Sequence, residues 1–413
     1  MYNQTFTVWA VMMGLGIYLS SEAYVPDILV WTFMLFLCLF AIWLHKHRQT
    51  DTFVLTSCVF FFLLGYARGG QGDWNVLPPS LYRWSISLSQ YVQERLQSLR
   101  LDTDSLALLK AMMLGQRGEL SADLRHLYVE TGASHILALS GLHLSILLGV
   151  LNFWMMYLVT HRWLRYMFGM LGIVLVWFYA LLTGFSPSLT RASVMMTLIL
   201  ISQMRLSGTN GWHALGVAAV LLLLFSPSSL WSVGFQLSFS SVAGLLLFYG
   251  PLQALWKIKT MWLRWLWKGW SASLGAQLGS LPLVAFYFHQ ISVYSVLFSP
   301  LYILLASLIL YSGLMAMAIG GWFPKLVVLF MAMQHSVMYV TSSLPFGMLR
   351  NLFHSLAVTV LIYMAIGCMV PVLNAMKPQT IEIPHQRLAF FFRQWPYIVA
   401  GVMCLLIAYM LSA

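Results

Sequence analysis

The chain has 413 residues, 60% of them hydrophobic and 8% charged, with a mean hydropathy of +0.81. A water-soluble domain carries about 25% charged residues, so no solvated surface can be built from this composition. The formal net charge of +11 belongs, in such a chain, to membrane topology and anionic lipid, and by itself points to no nucleic-acid partner.

Apolar runs recur at about 20 residues, the length of helix that crosses a hydrocarbon core of about 30 Å. They are continuous rather than alternating, which favours helices over a barrel. The expected fold is all-α, a polytopic helical membrane protein of about 11–13 segments with a small extracytoplasmic helical block. In chain order the segments are expected near 5–20, 28–44, 53–67, 136–159, 166–183, 190–204, 213–228, 234–250, 271–288, 293–319, 326–343, 355–375 and 395–412. The first lacks a basic stretch and a small-residue cleavage site, so it reads as a membrane helix and not a signal peptide. Cys38, Cys58, Cys368 and Cys404 lie inside apolar runs and read as packing residues, with no disulfide framework or metal spacing.

With a cytoplasmic N-terminus, the inner loops hold Lys46, Arg48, Arg162, Arg165, Arg205, Lys257, Lys259, Arg264, Lys268, Lys325, Lys377, Arg387 and Arg393. The outer loops hold Glu22 and Asp27 and little basic charge beyond Arg350. This is the positive-inside pattern. The chain thus divides into a three-helix membrane region at 1–68, an extracytoplasmic block at 69–130, a main membrane domain at 131–375, and a cytoplasmic loop with a last membrane helix at 376–413.

The block mixes both charges, and Tyr82, Ile86, Leu88, Tyr91, Val92, Leu96 and Leu99 recur at helical spacing. Asp104 or Ser105 is expected to cap a second helix there and Ser121 a third. At about 60 residues it is too small to bury a full core and should pack on the membrane part.

The stretch Thr131 to His143, TGASHILALSGLH, puts His135, Ser140 and His143 at the start of a long apolar segment. Polar groups at that depth are costly unless partnered or hydrated, so they are functional candidates. His135 and His143 stand about 80° apart on a helix with Ser140 between them. Ser140-Gly141 is a place where a helix loosens or another backbone approaches. Next, Ser186 suits an N-cap and Pro187 the first helical position, with Arg191 one turn inside. Free N–H groups and a guanidinium together make an anion site, for which phosphate is the obvious ligand.

Gln236 and Ser238 follow in GFQLSFSS, then Gln277 ahead of Pro282, then His289 and Gln290 after an aromatic run. Each alone is an ordinary helix–helix hydrogen-bonding residue. Together they fit a shared hydrated interior. The Trp-rich basic segment 251–270 reads as an interfacial helix on lipid headgroups, in preference to a nucleic-acid grip.

These clusters, in this order, resemble the competence domain of ComEC-type DNA-internalisation proteins. The matching residues are Ala111 to Arg117, Leu120-Ser121, Leu124-Arg125, Gly132 to His143, Thr183, Arg191-Ala192, Asn210 to Ala214, Ser226-Pro227, Gly234 to Ser238, Ala276-Gln277, Leu281-Pro282 and Phe286 to Gln290. The resemblance runs from about 104 to 305. It implies that 131–375 is a competence-type channel domain in the bacterial inner membrane, passing one strand of transforming DNA to the cytoplasm. The family's OB-like and metallo-β-lactamase-like modules have no counterpart here. His45-Lys46-His47 is followed by Arg48 and Gln49, not by a metal motif. Ser299 and Leu304 stand where the family has Asn and Pro.

The expected function is therefore a single-stranded DNA channel, with no enzyme activity, cofactor or metal. Pore candidates are His135, Ser140, Gly141, His143, Ser186, Arg191, Gln236, Ser238, Gln277, His289 and Gln290. The expected partners are single-stranded DNA, membrane lipid, a cytoplasmic motor ATPase (the chain has no G-x-x-x-x-G-K-[ST] loop) and a separate nuclease or DNA-receptor subunit. The sequence sets no oligomeric state. Two rivals stand beside this: a secondary transporter of an anionic solute using Arg191 and broken helices, and an intramembrane serine hydrolase using Ser140 with His143 or His289.

Overall fold

The apolar periodicity of the sequence resolves into helices in a computed structural model. It describes residues 5–20, 50–69, 78–137, 139–141, 143–149, 161–205, 211–256, 258–345, 347–350, 352 and 355–375. The helices are α1 (Thr5–Ser20), α2 (Thr50–Gly69), α3 (Pro79–Gln97), α4 (Thr103–Leu114), α5 (Ala122–Glu130), α6 (Ser134–Leu137), α7 (Arg162–Leu182) and α8 (Pro187–Arg205). There follow α9 (Gly211–Phe225), a 3-10 turn (Pro227–Trp231), α10 (Val233–Leu255), α11 (Met261–Phe288), α12 (Ser295–Ile319), α13 (Phe323–Ser342) and α14 (Leu356–Ala375).

Among the described residues, α7, α10, α12 and α13 are long and apolar enough to cross a membrane, and shorter apolar helices lie in α1, α2, α9 and α14. The chain is a polytopic helical membrane protein. The segments expected at 28–44 and 395–412 lie outside the described residues.

The chain forms two compact units. The first comprises 1–91 and 140–236. In it α1 packs on α2 and α9. Arg68, at the end of α2, is fully buried and donates Nε–H to Leu224 O at 2.8 Å, closing the C-terminal end of α9. α7 and α8 form a hairpin. Its turn is closed by Phe185 N–H on Ala180 O at 2.7 Å, its flank by Trp177 Nε1–H on Thr197 Oγ1 at 3.2 Å. Its far end is tied by Arg165 Nε–H on Met204 O at 2.9 Å.

The second unit comprises 92–139 and 237–413. There α10 and α11 carry facing glycines. A Cβ on Gly244 would lie 2.5 Å from Gly275 O, and one on Gly279 would collide with Ser240 O, so only hydrogen permits this approach. α12 and α13 form a second hairpin, pinned by the Tyr302 and Thr341 hydroxyls at 2.6 Å. The buried stripe of α13 is Val327, Met331, Gln334, Met338 and Thr341, a heptad-like spacing that faces one helix neighbour. Two short strands, β1 (Gln290–Ser292) and β2 (Met348–Arg350), pair antiparallel with Gln290 opposite Arg350.

The polar block does not stand alone. Leu108, Leu109, Ala111 and Met112 of α4 are fully buried, and Leu109 seats against Gly313 of α12. Three local expectations are corrected. α4 is capped by Asp102, whose carboxylate accepts from Ser105 N–H at 3.0 Å, and not by Asp104 or Ser105, which lie inside the helix. The single segment expected to begin at 136 is broken: α6 ends at Leu137, Leu139 and Ser140 are non-helical, and Gly141 and 143–149 are helical. The single interfacial helix expected over 251–270 is interrupted between Leu255 and Met261 and is helical on either side. α10 ends at Leu255 and α11 starts at Met261, because Arg264 donates to Ile258 O at 3.1 Å and Lys259 O at 3.0 Å and Trp267 meets Trp256 edge-on at 5.5 Å. Ser121 does cap α5, accepting from Leu124 N–H at 3.4 Å.

Candidate functional site

The eleven sequence candidates divide between the units. Ser140, Gly141, His143, Ser186, Arg191 and Gln236 fall in the first; His135, Ser238, Gln277, His289 and Gln290 fall in the second.

In the first unit the break before Gly141 sets the geometry. Ser140 begins the resumed helix: its carbonyl accepts Leu144 N–H at 3.4 Å and its hydroxyl meets His143 Nδ1 at 3.2 Å. The two side chains, three residues apart, thus bond each other at the helix start. His143 is completely buried. Gly141 faces α8, where a Cβ would come within 3.2 Å of the Ala192 Cβ. The Ser-Gly-x-His helix start therefore lies against the first turns of α8, next to Arg191.

At that end of α8, Ser186 accepts through its carbonyl from Thr190 N–H at 2.9 Å. Its hydroxyl is buried and unpartnered, so it does not cap by side chain as expected. Arg191 is only 6% exposed, its Nε is buried without a partner, and no acceptor takes its guanidinium among the described residues. Its Nη2 rests on the first turn of α10, 3.0 Å from where a Gly234 Cβ would sit. A larger residue at 234 would displace it. That turn is a helix N-terminus and carries partial positive charge of its own. A guanidinium held against it, one turn inside a second N-terminus, concentrates positive charge with no counter-charge among the described residues.

Arg68 and Arg165 are buried to a similar degree, but each ends on a carbonyl of a helix C-terminus. Those are structural. Arg191 ends on no such carbonyl among the described residues, and no Asp or Glu occurs in sequence between Glu130 and Glu382. Leaving a buried cation unbalanced costs several kcal/mol, which an anion at this spot would remove. Gln236 is adjacent in sequence but already engaged, donating Nε2–H to Leu230 O at 3.0 Å and closing the 3-10 turn.

In the second unit, Gln277 donates to Ser273 Oγ at 3.1 Å and Ser299 Oγ at 3.0 Å, while its Oε1 is buried and unpartnered. Ser299, which departs from the family pattern, is thus a partner of the amide. His289 ends α11 in left-handed conformation, with φ 54°, and accepts Leu352 N–H at 3.1 Å. Gln290 lies on β1 beside Arg350. His135 is exposed and Nδ1 meets Gly132 O at 3.0 Å, while Ser238 is half-buried. Sequence reasoning missed Gln334, completely buried on α13 with both amide atoms unpartnered. A lone amide in a Met-rich helix was the available signal.

Residues 112–377 match the competence protein family. The chain is 33% identical to ComE operon protein 3 of Bacillus subtilis (strain 168) over 223 residues, 54% of this chain and 27% of that protein. It is 29% identical to Recombination protein 2 of Haemophilus influenzae over 216 residues, 48% of this chain and 27% of that protein. It is 28% identical to competence protein ComA of Neisseria gonorrhoeae over 213 residues, 46% of this chain and 28% of that protein. The chain thus spans about a quarter of the length of these relatives. No solved structure matches it.

Proposed function

Because the chain belongs to the competence protein family, we propose that it is a channel taking single-stranded DNA through the bacterial inner membrane into the cytoplasm, its N-terminus on the cytoplasmic side. The observation that carries this reading is Arg191, a buried guanidinium without an acceptor among the described residues, in a stretch (131–381) that has no carboxylate. A phosphate backbone cannot cross hydrocarbon unless donors replace its water. Arg191, the N-terminal turns of α8 and α10, and the unpartnered Ser186 hydroxyl are such donors. They read charge and not bases, as suits a sequence-tolerant strand conduit. The Neisseria relative's name, competence protein, supports DNA as the cargo.

In this reading the chain catalyses no reaction, and Ser140 with His143 serves as a helix start. A cytoplasmic motor ATPase supplies the work, and separate subunits supply any receptor or nuclease.

Arg191→Ala and His143→Ala should each abolish arrival of fluorescent DNA in the cytoplasm with the chain still in the membrane at normal amount. Gly234→Ala should lower uptake partially, because its methyl crowds the guanidinium. Normal uptake by both Arg191→Ala and His143→Ala refutes the proposal. Flux of a small labelled anion into proteoliposomes, independent of DNA, would favour a secondary transporter instead.

A further inference from the structure

Glu130 is the last residue of α5, and both its carboxylate oxygens face cation-forming groups. Oε1 lies 3.8 Å from Arg350 Nη2 and Oε2 lies 3.6 Å from His126 Nδ1. The contact is positioned by packing. Gly132, just past α5, has φ 71° and sits where a Cβ would fall 2.6 Å from Ser295 Cβ and 2.9 Å from Ser292 Cβ. This seats the end of α5 on β1. Across the ladder Gln290 is directly opposite Arg350, so the two side chains share one face.

The carboxylate is nevertheless weakly held. Both contacts exceed hydrogen-bond length. Arg350 and His126 are more than half exposed, at 62% and 66%, where such contacts contribute little. A carboxylate at a helix C-terminus also opposes the negative end of that helix. Glu130 thus occupies a notch between the Arg350 guanidinium and the His126 imidazole in which it is easily replaced.

A phosphodiester presents the same single charge over two oxygens. Resting on the conduit reading, we propose that Glu130 is a latch that mimics phosphate. It occupies the Arg350–His126–Gln290 notch until a phosphate of incoming single-stranded DNA displaces it, and the notch is the first backbone contact on the extracytoplasmic face. Arg350 is then a binding residue and Glu130 a competitor for it.

The test uses the full chain in nanodiscs of zwitterionic lipid and a fluorescein-labelled single-stranded oligonucleotide, with anisotropy read over a salt series. Glu130→Gln should bind about two- to fivefold tighter than the wild type, the size of an exposed ion pair released. Arg350→Ala should bind more weakly, with a slope of log affinity on log salt shallower by about 0.7. The double variant should match Arg350→Ala. Glu130→Gln binding no tighter than wild type overturns the proposal. So does failure of both Glu130→Gln and Glu130→Ala to give monodisperse protein, since a displaceable latch cannot be a requirement of the fold. If Arg191→Ala abolishes uptake while Glu130→Gln leaves binding unchanged, the latch falls and the conduit stands.

Discussion

Replacing Arg191 by methionine should stabilise the folded protein while ending DNA uptake. The guanidinium is 6% exposed and has no acceptor among the described residues. Removing an uncompensated buried charge and filling its volume with an apolar chain of similar length is worth about 1–4 kcal/mol. Arg68 and Arg165 provide the control. Their Nε–H groups reach Leu224 O at 2.8 Å and Met204 O at 2.9 Å. Methionine there leaves a buried carbonyl without a donor, at a cost of about 1–3 kcal/mol. The three variants should therefore split in sign. The assay is thermal unfolding of the purified chain in nanodiscs without DNA, alongside cytoplasmic uptake in cells. An Arg191→Met protein that unfolds as far below wild type as Arg68→Met would show that Arg191 is a structural tie, and the anion argument would fail.

Asp102→Ala should cost about 1 kcal/mol through loss of the α4 cap, read as faster amide exchange at 103–106. Burial acts against it, but the Ser105 hydrogen bonds outweigh burial and hold the Asp102 carboxyl below its ordinary value. Its contribution is therefore complete above the ordinary carboxylate range and lost as pH falls through the lowered value, so an α4 exchange rate that is flat on acidification contradicts the cap. Ser299→Ala should cost about 1 kcal/mol by removing a partner of Gln277, seen as a lower unfolding midpoint; no change would show that Ser273 and the Ser295 carbonyl hold the amide without it. Gly279→Val should prevent accumulation in the membrane, because its side chain would enter the backbone of α10 at Ser240 and Gly244; normal yield would mean that the two helices do not cross there.

Helix order was legible because it rests on composition and period. The runs of α7, α8, α9, α12 and α13 start and stop within a few residues of where their apolar stretches do. Their breaks were less so. The non-helical step at Leu139-Ser140 and the Trp256–Thr260 turn sit in apolar sequence, and are set by contacts that periodicity does not carry. Arg264 making hydrogen bonds back to Ile258 and Lys259 is one such contact. Among the candidates, Arg191 was legible as an intramembrane cation, and its isolation follows from the acid-free stretch on either side. Gln236 also ties the turn before it through Leu230 O, a contact that its place in the sequence does not show. The Gln277–Ser299 bond spans two helices and has no local signature.

The arrangement at Arg191 also limits what this chain can do unaided. Each phosphate entering a negative-inside cell works against about 2.3 kcal/mol per 100 mV. A fixed guanidinium and two fixed helix N-termini stabilise a phosphate equally whichever way it arrived, so they lower the barrier without setting a direction. An attraction strong enough to hold one phosphate would stall the next unless a neighbouring site exchanged with it. The carboxylate-free stretch 131–381 suits such exchange, since it adds no negative charge between cations. Under the proposed conduit function, directionality would come from pulling or trapping on the cytoplasmic side, and the conduit's part would be to make the passage of each phosphate nearly level.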